Sequence, residues 1–222
     1  SSAAADVYKR QAPSSAAVLR ALTTRAGYGN KDFPFLAGGF AFDYLGTFEQ
    51  LPAVGDGPNT YPDYQFVLAE VVLRVNHEDG TAYLAGVDAA GEGIDLEPLA
   101  LRMDVPVPDY APLAGRAEPL VAKASVSDAD FRASVEDLKH HIADGDIYQV
   151  VPARAFTAEC TDAFNAYRRL RESNPSPYMF YIRGEGYELF GASPESNLKF
   201  DHATRQVELY PIAGTRPRGL NP

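Results

Sequence analysis

The stretch NPSPYMFYIRGEGYELFGASPESNLKFDHATRQVELYPI, Asn174–Ile212, decides the fold class of this 222-residue chain. It holds four strand-forming runs: Tyr178–Arg183, Tyr187–Ala192, Asn197–Phe200 and Gln206–Ile212. Gly184-Glu185-Gly186 and Asp201-His202-Ala203-Thr204 supply turn chemistry between them. Strands joined by such short turns pair antiparallel. Just upstream, Asp162 opens a helix carrying Phe164, Tyr167 and Leu170, and Asn174-Pro175 stops it. Further back, Ser127-x-x-Asp130 is a capping-box-like start. Phe131, Val135, Leu138 and Ile142 follow as an amphipathic stripe, and Gly145 ends that helix. Ile147–Val151 reads as a buried strand stopped by Pro152. Strands outnumber helices and sit in hairpins, so the expected class is α+β with a largely antiparallel sheet, not a doubly wound fold.

The first half has a different texture. Ser14 and Ser15 can cap a helix with Val18, Leu19 and Leu22, closed near Gly27. Phe35–Tyr44 reads as one strand whose Gly38-Gly39 pair packs close to other backbone. Thr47–Pro62 is loop. Gln65–Val75 is a long β-branched run. Asn76–Gly80 turns it and Thr81–Val87 returns, which makes a hairpin. One short helical stretch, Leu96–Met103, lies in a Pro- and Gly-rich region. A boundary is expected near 105–123, giving an N-terminal region of 13–123 and a second region of 124–222. The opening string SSAAADVYKRQ has no apolar period and looks like translated adapter sequence, so 1–12 is expected to be a non-native tail. The stop at Pro222, directly after a dense motif, gives the expectation of a fragment cut at both ends.

Composition excludes several classes. The chain is 45% apolar and 23% charged, which is ordinary for a globular protein. Twenty Lys+Arg against 30 Asp+Glu give a net charge of -10. That balance repels phosphate backbones and anionic membrane surfaces. No apolar run approaches the roughly 20 residues of a spanning helix. Cys160 is the only cysteine, so no internal disulfide forms, and a reducing cytoplasm fits.

Few residues carry obvious chemistry. His140 and His141 point about 100° apart on a helix and do not share one ion easily, so they read as a solvated face. Asp144-Gly145-Asp146 and Asp56-Gly57 read as turns. Cys160 has no neighbouring His or Lys and reads as a structural thiol. No phosphate loop, nucleophile elbow or metalloprotease helix is present.

Three segments are denser than structure alone demands. Asn174–Phe180 places two prolines at a helix end, is rigid before any ligand arrives, and would suit an aromatic amino acid. Gly191–Ser196 ends a strand in small residues and one carboxylate, Glu195. Tyr210–Gly219 ends a strand with Gly214, Thr215, Arg216 and Arg218. Gly lets a ligand reach backbone N–H, Thr offers a hydroxyl, and Arg pairs carboxylates bidentately. That corner suits an anionic substrate, with an exposed basic turn as the plain alternative.

These three motifs, NPSPYMF, FGASPES and YPIAGTRPRG, resemble component I of anthranilate synthases, the large chorismate-binding subunits within the chorismate-utilising enzyme family. GDIYQVVPARAF (Gly145–Phe156) and FLAGGFAFDYLGTFEQLP (Phe35–Pro52) are similar to other segments of that family. The resemblance runs from about Ser14 to the end. It implies a four-layer α/β/β/α sandwich, antiparallel sheets with helices outside, incomplete in this chain. It implies conversion of chorismate and ammonia to anthranilate and pyruvate, with Mg2+, in the first step of tryptophan synthesis. The ammonia would come from a glutamine amidotransferase subunit, and L-tryptophan would be the feedback inhibitor. Gly214 and Thr215 would contact chorismate. Pro177, Tyr178 and Met179 would line the tryptophan site, shaped by Asn174, Pro175, Ser176 and Phe180. Glu195 would lie near the active site. Ala213 favours direct amination, because the related aminodeoxychorismate synthases carry Lys there as a nucleophile. The resemblance places the Mg2+ ligands and the catalytic acid/base residues beyond Pro222, so none is assigned in this chain, which is expected to be inactive alone. The alternatives are another chorismate-aminating enzyme, of aminodeoxychorismate or aminodeoxyisochorismate synthase type, and a non-catalytic tryptophan- or partner-binding module.

Overall fold

Gly38 shows why the first ladder forms where it does. Strand β1 (Phe35–Phe40) pairs antiparallel with β2 (Tyr64–Ala69), from Phe35 opposite Ala69 to Phe40 opposite Tyr64. A Cβ at Gly38 would lie 2.1 Å from the Gln65 carbonyl oxygen and 2.7 Å from the Phe66 Cα. Only glycine admits that approach, as its place in an apolar run suggests. The computed structural model describes residues 16–25, 32–52, 60–88, 92–106, 120–201, 203–212 and 214. The chain divides into two compact units, Ser1–Tyr110 with Gly184–Tyr187, and Ala111–Arg183 with Glu188–Pro222.

In the first unit, helix α1 spans Ala17–Arg25. Its expected cap and stop, Ser14, Ser15 and Gly27, lie outside the described residues. The strand expected over Phe35–Tyr44 ends early, and a 3-10 helix covers Phe42–Thr47. The reason is aromatic packing. The turn brings the Tyr44 ring back to 4.8 Å from Phe40, 5.5 Å from Tyr64 and 5.3 Å from Phe48, and buries it. Each such pair adds about 0.5–1.5 kcal/mol beyond its area.

The single long run expected over Gln65–Val75 is two strands. Strand β3 (Val71–Asn76) follows β2 after one residue, Glu70, and pairs with β4 (Thr81–Gly86). The chain changes partner at Glu70, because β1 extends only to the position opposite Ala69. The Glu70 carbonyl is not lost: it accepts the Val87 N–H at 2.9 Å. The β3–β4 turn has the expected chemistry. Asn76 Oδ1 accepts the Glu78 N–H at 3.0 Å, and Asp79 Oδ1 accepts the Thr81 N–H at 2.9 Å. Phe33, Ala85 and Val87 form the buried cluster of this unit, with Val72 packed against it. Beside it the Asp32 carboxylate, 5% exposed, meets Arg74 at 3.3 Å and the Tyr83 hydroxyl at 3.2 Å. Helix α2 spans Glu97–Met103.

The second unit begins with β5 (Lys123–Ala124), paired antiparallel with β6 (Phe156–Thr157). Helix α3 covers Asp128–Asp144 between them. Ser127 Oγ accepts the Asp130 N–H at 3.1 Å, a cap contributing about 1 kcal/mol. The same hydroxyl donates to the Asp130 carboxylate at 2.7 Å. Gly145 closes the helix in the left-handed conformation, φ 83°, which lets Asp146 N–H reach the His141 carbonyl at 3.0 Å. Phe131, Val135 and Leu138 are the half-buried stripe that the spacing predicts, while Ile142 is exposed.

Helix α4 (Ala163–Ser173) is capped by Asp162, whose carboxylate accepts the Asn165 N–H at 2.9 Å. Its Phe164 and Tyr167 pack on a hairpin of β7 (Tyr178–Gly184) and β8 (Tyr187–Ser193). The rings of Tyr181 and Phe190 complete that cluster, with centroids 5.2–6.2 Å apart. A last antiparallel pair joins β9 (Lys199–Phe200) to β10 (Val207–Glu208).

Three expectations fail in this unit. Ile147–Val151 is not a buried strand: it has no ladder, and Tyr148 is 95% and Val151 78% exposed. A β-prone run becomes a strand only where a neighbour supplies hydrogen bonds. Gln206–Ile212 is a two-residue strand rather than a seven-residue one, because β9 pairs only with Val207 and Glu208. Cys160 is an exposed free thiol in the loop before α4, where no element covers it, and not a packed structural one.

The class is therefore α+β with antiparallel strands, in five two-stranded ladders among the described residues. No described residue of the second unit is buried. No helix among the described residues is long and apolar enough to cross a membrane.

Candidate functional site

The NPSPYMF segment forms the corner between α4 and β7. Asn174 ends α4 with its N–H donating to the Leu170 carbonyl at 2.8 Å. Pro175 cannot continue the helix, and β7 starts at Tyr178. Pro177 and Tyr178 are exposed and Met179 is half-buried. The two-residue period then separates the faces. Met179 shares a face with Tyr181, which packs against α4, while Tyr178 and Phe180 lie on the other.

Opposite Phe180 stands Gly191 of the FGASPES segment. A Cβ at Gly191 would lie 2.7 and 2.8 Å from two Phe180 ring carbons. The ring thus occupies the space that any other residue would need. Beyond β8, Ser193 Oγ accepts the Glu195 N–H at 3.2 Å and donates to the Glu195 carbonyl at 3.0 Å. The Glu195 carboxylate then accepts the Ile212 N–H at 3.3 Å. This contact brings the second motif to the third, two residues before Gly214.

Gly214 is exposed, and a Cβ there would meet no atom within 4 Å. Among the described residues no packing contact requires glycine at that position. Thr215, with Ala213 and 216–222, lies outside the described residues. Upstream, the Tyr210 hydroxyl donates to Glu208 at 2.8 Å, and Lys199 meets the same carboxylate at 3.2 Å. Glu208 raises the Tyr210 pKa above the usual tyrosine range, and Tyr178 adds a smaller push in the same direction.

Sequence reading missed three features. Arg154 links β6 to the start of α3: it bonds Asp128 at 2.5 Å and the Val126 carbonyl at 3.2 Å. Across the β7–β8 hairpin, Glu188 accepts from Arg183 at 2.7 Å and from the Tyr181 hydroxyl. Those bonds, Tyr181 first, hold its carboxyl below the usual range. The third is the Phe180–Gly191 contact. It was countable, since a two-residue turn at Glu185-Gly186 sets Arg183 opposite Glu188 and Phe180 opposite Gly191.

Among the described residues no three His, Cys, Asp or Glu side chains gather as a metal site. His141 Nδ1 instead lies 2.8 Å from Asp146.

A family model described as chorismate binding enzyme matches residues 2–222. The chain belongs to that family. This family member is 44% identical over 196 residues to anthranilate synthase component 1 of Vibrio parahaemolyticus, covering 85% of the chain and 35% of the relative. It is 42% identical over 192 residues to anthranilate synthase component 1 of Vibrio cholerae, covering 83% and 36%. The chain thus spans about a third of the length of these curated relatives. The crystal structure of anthranilate synthase component I from Streptococcus pneumoniae superposes with a TM-score of 0.70 at 23% identity, over 86% of this chain and 46% of that one. That match establishes the fold.

Proposed function

We propose that this chain is part of an anthranilate synthase component I. The protein converts chorismate and ammonia to anthranilate and pyruvate, with ammonia delivered by a glutamine amidotransferase subunit and L-tryptophan as feedback inhibitor. The observation that carries the reading is the 44% identity to a relative of that name across 85% of the chain. Ala213 supports it within the family, since it offers no nucleophile to the substrate ring.

Each residue has a limited role in this reading. The Gly214 backbone lies open to a carboxylate, and Thr215 adds a hydroxyl donor beside it. Glu195 binds the Ile212 N–H and so fixes the approach to Gly214. Pro177, Tyr178 and Met179 present a rigid apolar corner to tryptophan. Among the described residues no three His, Cys, Asp or Glu side chains gather, and no step is assigned to Mg2+.

The test is an assay of the full-length protein with chorismate, ammonium and Mg2+, followed by anthranilate fluorescence. Anthranilate and pyruvate in equal amounts are expected. A 4-aminobenzoate precursor or isochorismate as the sole product overturns the reading.

A further inference from the structure

The run Ile147–Val151 has the composition of a covered strand and no cover. Its residues, IYQVV, include no charge, no proline and no glycine. Tyr148 is 95% exposed and Val151 78%, and the run pairs with no strand among the described residues. A strand period sets Tyr148 and Val150 on one face and Ile147 and Val151 on the other, so apolar side chains fall on both. That pattern belongs to strands covered on both sides. The edge is also undefended. Exposed edges are ordinarily blunted by lysine, proline or a bulge, and here Asp146 and Pro152 stand outside the run. Both ends are nevertheless held. Before the run, the Asp146 N–H donates to the His141 carbonyl at 3.0 Å, where Gly145 closes α3. After it, Arg154 bonds Asp128 at 2.5 Å, and the Ala155 carbonyl accepts the Ser125 N–H at 2.9 Å.

We propose that Ile147–Val151 is an interior strand of a sheet whose neighbouring strand comes from the rest of the same polypeptide. The proposal rests on the reading of this chain as part of a component I. The chain spans about a third of the length of its curated relatives and covers 46% of the solved component I chain on which it superposes. The remaining length is ample for a neighbouring strand and for a layer over each face. No described residue of the second unit is buried, so this unit gains a core only when more chain is added. Two other occupants fit less well. A separate subunit would leave the run in water whenever it dissociated, and surfaces that exchange partners are no more apolar than the rest of a protein. A second copy would pair the edge but leave the faces of Tyr148 and Val151 open.

Hydrogen exchange in the full-length component I, without its amidotransferase subunit, tests the assignment. The amides of 147–151 are expected to exchange at least about 100-fold more slowly than in an unpaired chain, at every protein concentration used. Tyr148→Lys in the same protein is expected to lower the thermal midpoint by several degrees, because it puts a charge under cover. The exchange measurement uses the wild type, so it decides the matter even where the lysine variant does not fold. Unprotected amides at 147–151 overturn the proposal, and so does a lysine variant as stable as wild type. Protection that needs the amidotransferase subunit gives the run to that partner, and protection that grows with concentration gives it to a second copy; either result overturns the proposal. The functional reading fails separately: a full-length protein with 147–151 protected that forms no anthranilate overturns the assigned activity and leaves the strand in place.

Discussion

Arg154 and Asp128 form an ion pair at 2.5 Å that closes the start of α3 against β6. The Arg154 guanidinium also lies 5.0 Å from the Phe131 ring and 4.9 Å from the Phe156 ring. A planar cation between two rings and a carboxylate uses every surface the group has. Arg154→Lys keeps the charge but loses the stacking and the fork. Both Arg154→Lys and Arg154→Met are therefore expected to lower the thermal midpoint, by several degrees. A lysine variant as stable as wild type means that charge alone holds this joint.

Gly38→Ala is expected to cost about 1–3 kcal/mol, the range for forcing atoms into a packed site. Its Cβ would meet the Gln65 carbonyl and the Phe66 Cα, which are backbone and cannot rotate away. Gly46→Ala is the control, because no atom lies within 4 Å of its added carbon. Urea denaturation of both variants decides the matter. Equal midpoints would remove the close approach as the reason for glycine.

The exposed run Ile147–Val151 is β-prone and has no ladder. Such a segment pairs with other chains. The purified 222-residue chain is expected to self-associate as its concentration rises. Tyr148→Lys introduces a charge at the most exposed aromatic of the run and is expected to raise the monomer fraction in sedimentation, with an unchanged far-ultraviolet spectrum. A variant that associates as strongly as wild type places the sticky surface elsewhere.

Six carboxyls sit below the usual range: Glu188 beside Tyr181 and Arg183, Asp128 beside Arg154, Glu208 beside Tyr210 and Lys199, and Asp79, Asp162 and Asp201, each bonded to groups of its own turn or helix start. A depressed folded-state pKa stabilises the protein above the unfolded value, near 4, and that stability is lost as pH falls through the lowered one. The urea midpoint should therefore hold near neutrality and decline below about pH 4. Glu188→Gln should flatten part of that acid limb. An unchanged limb would show that this carboxylate contributes nothing there.

The purified 222-residue chain is expected to form no anthranilate from chorismate, ammonium and Mg2+. It spans about a third of the length of its curated relatives. Product above the no-protein control would show that the residues for catalysis are all within the chain.

Much of this structure was legible in the sequence. Ser127, Gly145, Asp162 and Asn174 marked helix ends because capping and helix-stopping chemistry is local. The turn at 77–80 was legible for the same reason, since Asn76 and Asp79 bond backbone within two residues. The three dense motifs were visible as strings, and the family match over 2–222 agrees with what they implied about membership.

Partner choice was not local, and there the sequence alone fell short. Ile147–Val151 has the composition of a strand but no neighbour, so it stays exposed. Gln65–Val75 looks continuous, yet β2 and β3 belong to different ladders that meet at Glu70. Val207 and Glu208 alone of their run find β9. Local residues determined caps, turns and element types, because those bonds close within a few positions. Only tertiary structure decided which distant strands pair and that Glu195 reaches the Ile212 N–H. The Glu195–Ile212 contact joins residues 17 apart, and the register of paired strands depends on packing that no single segment contains.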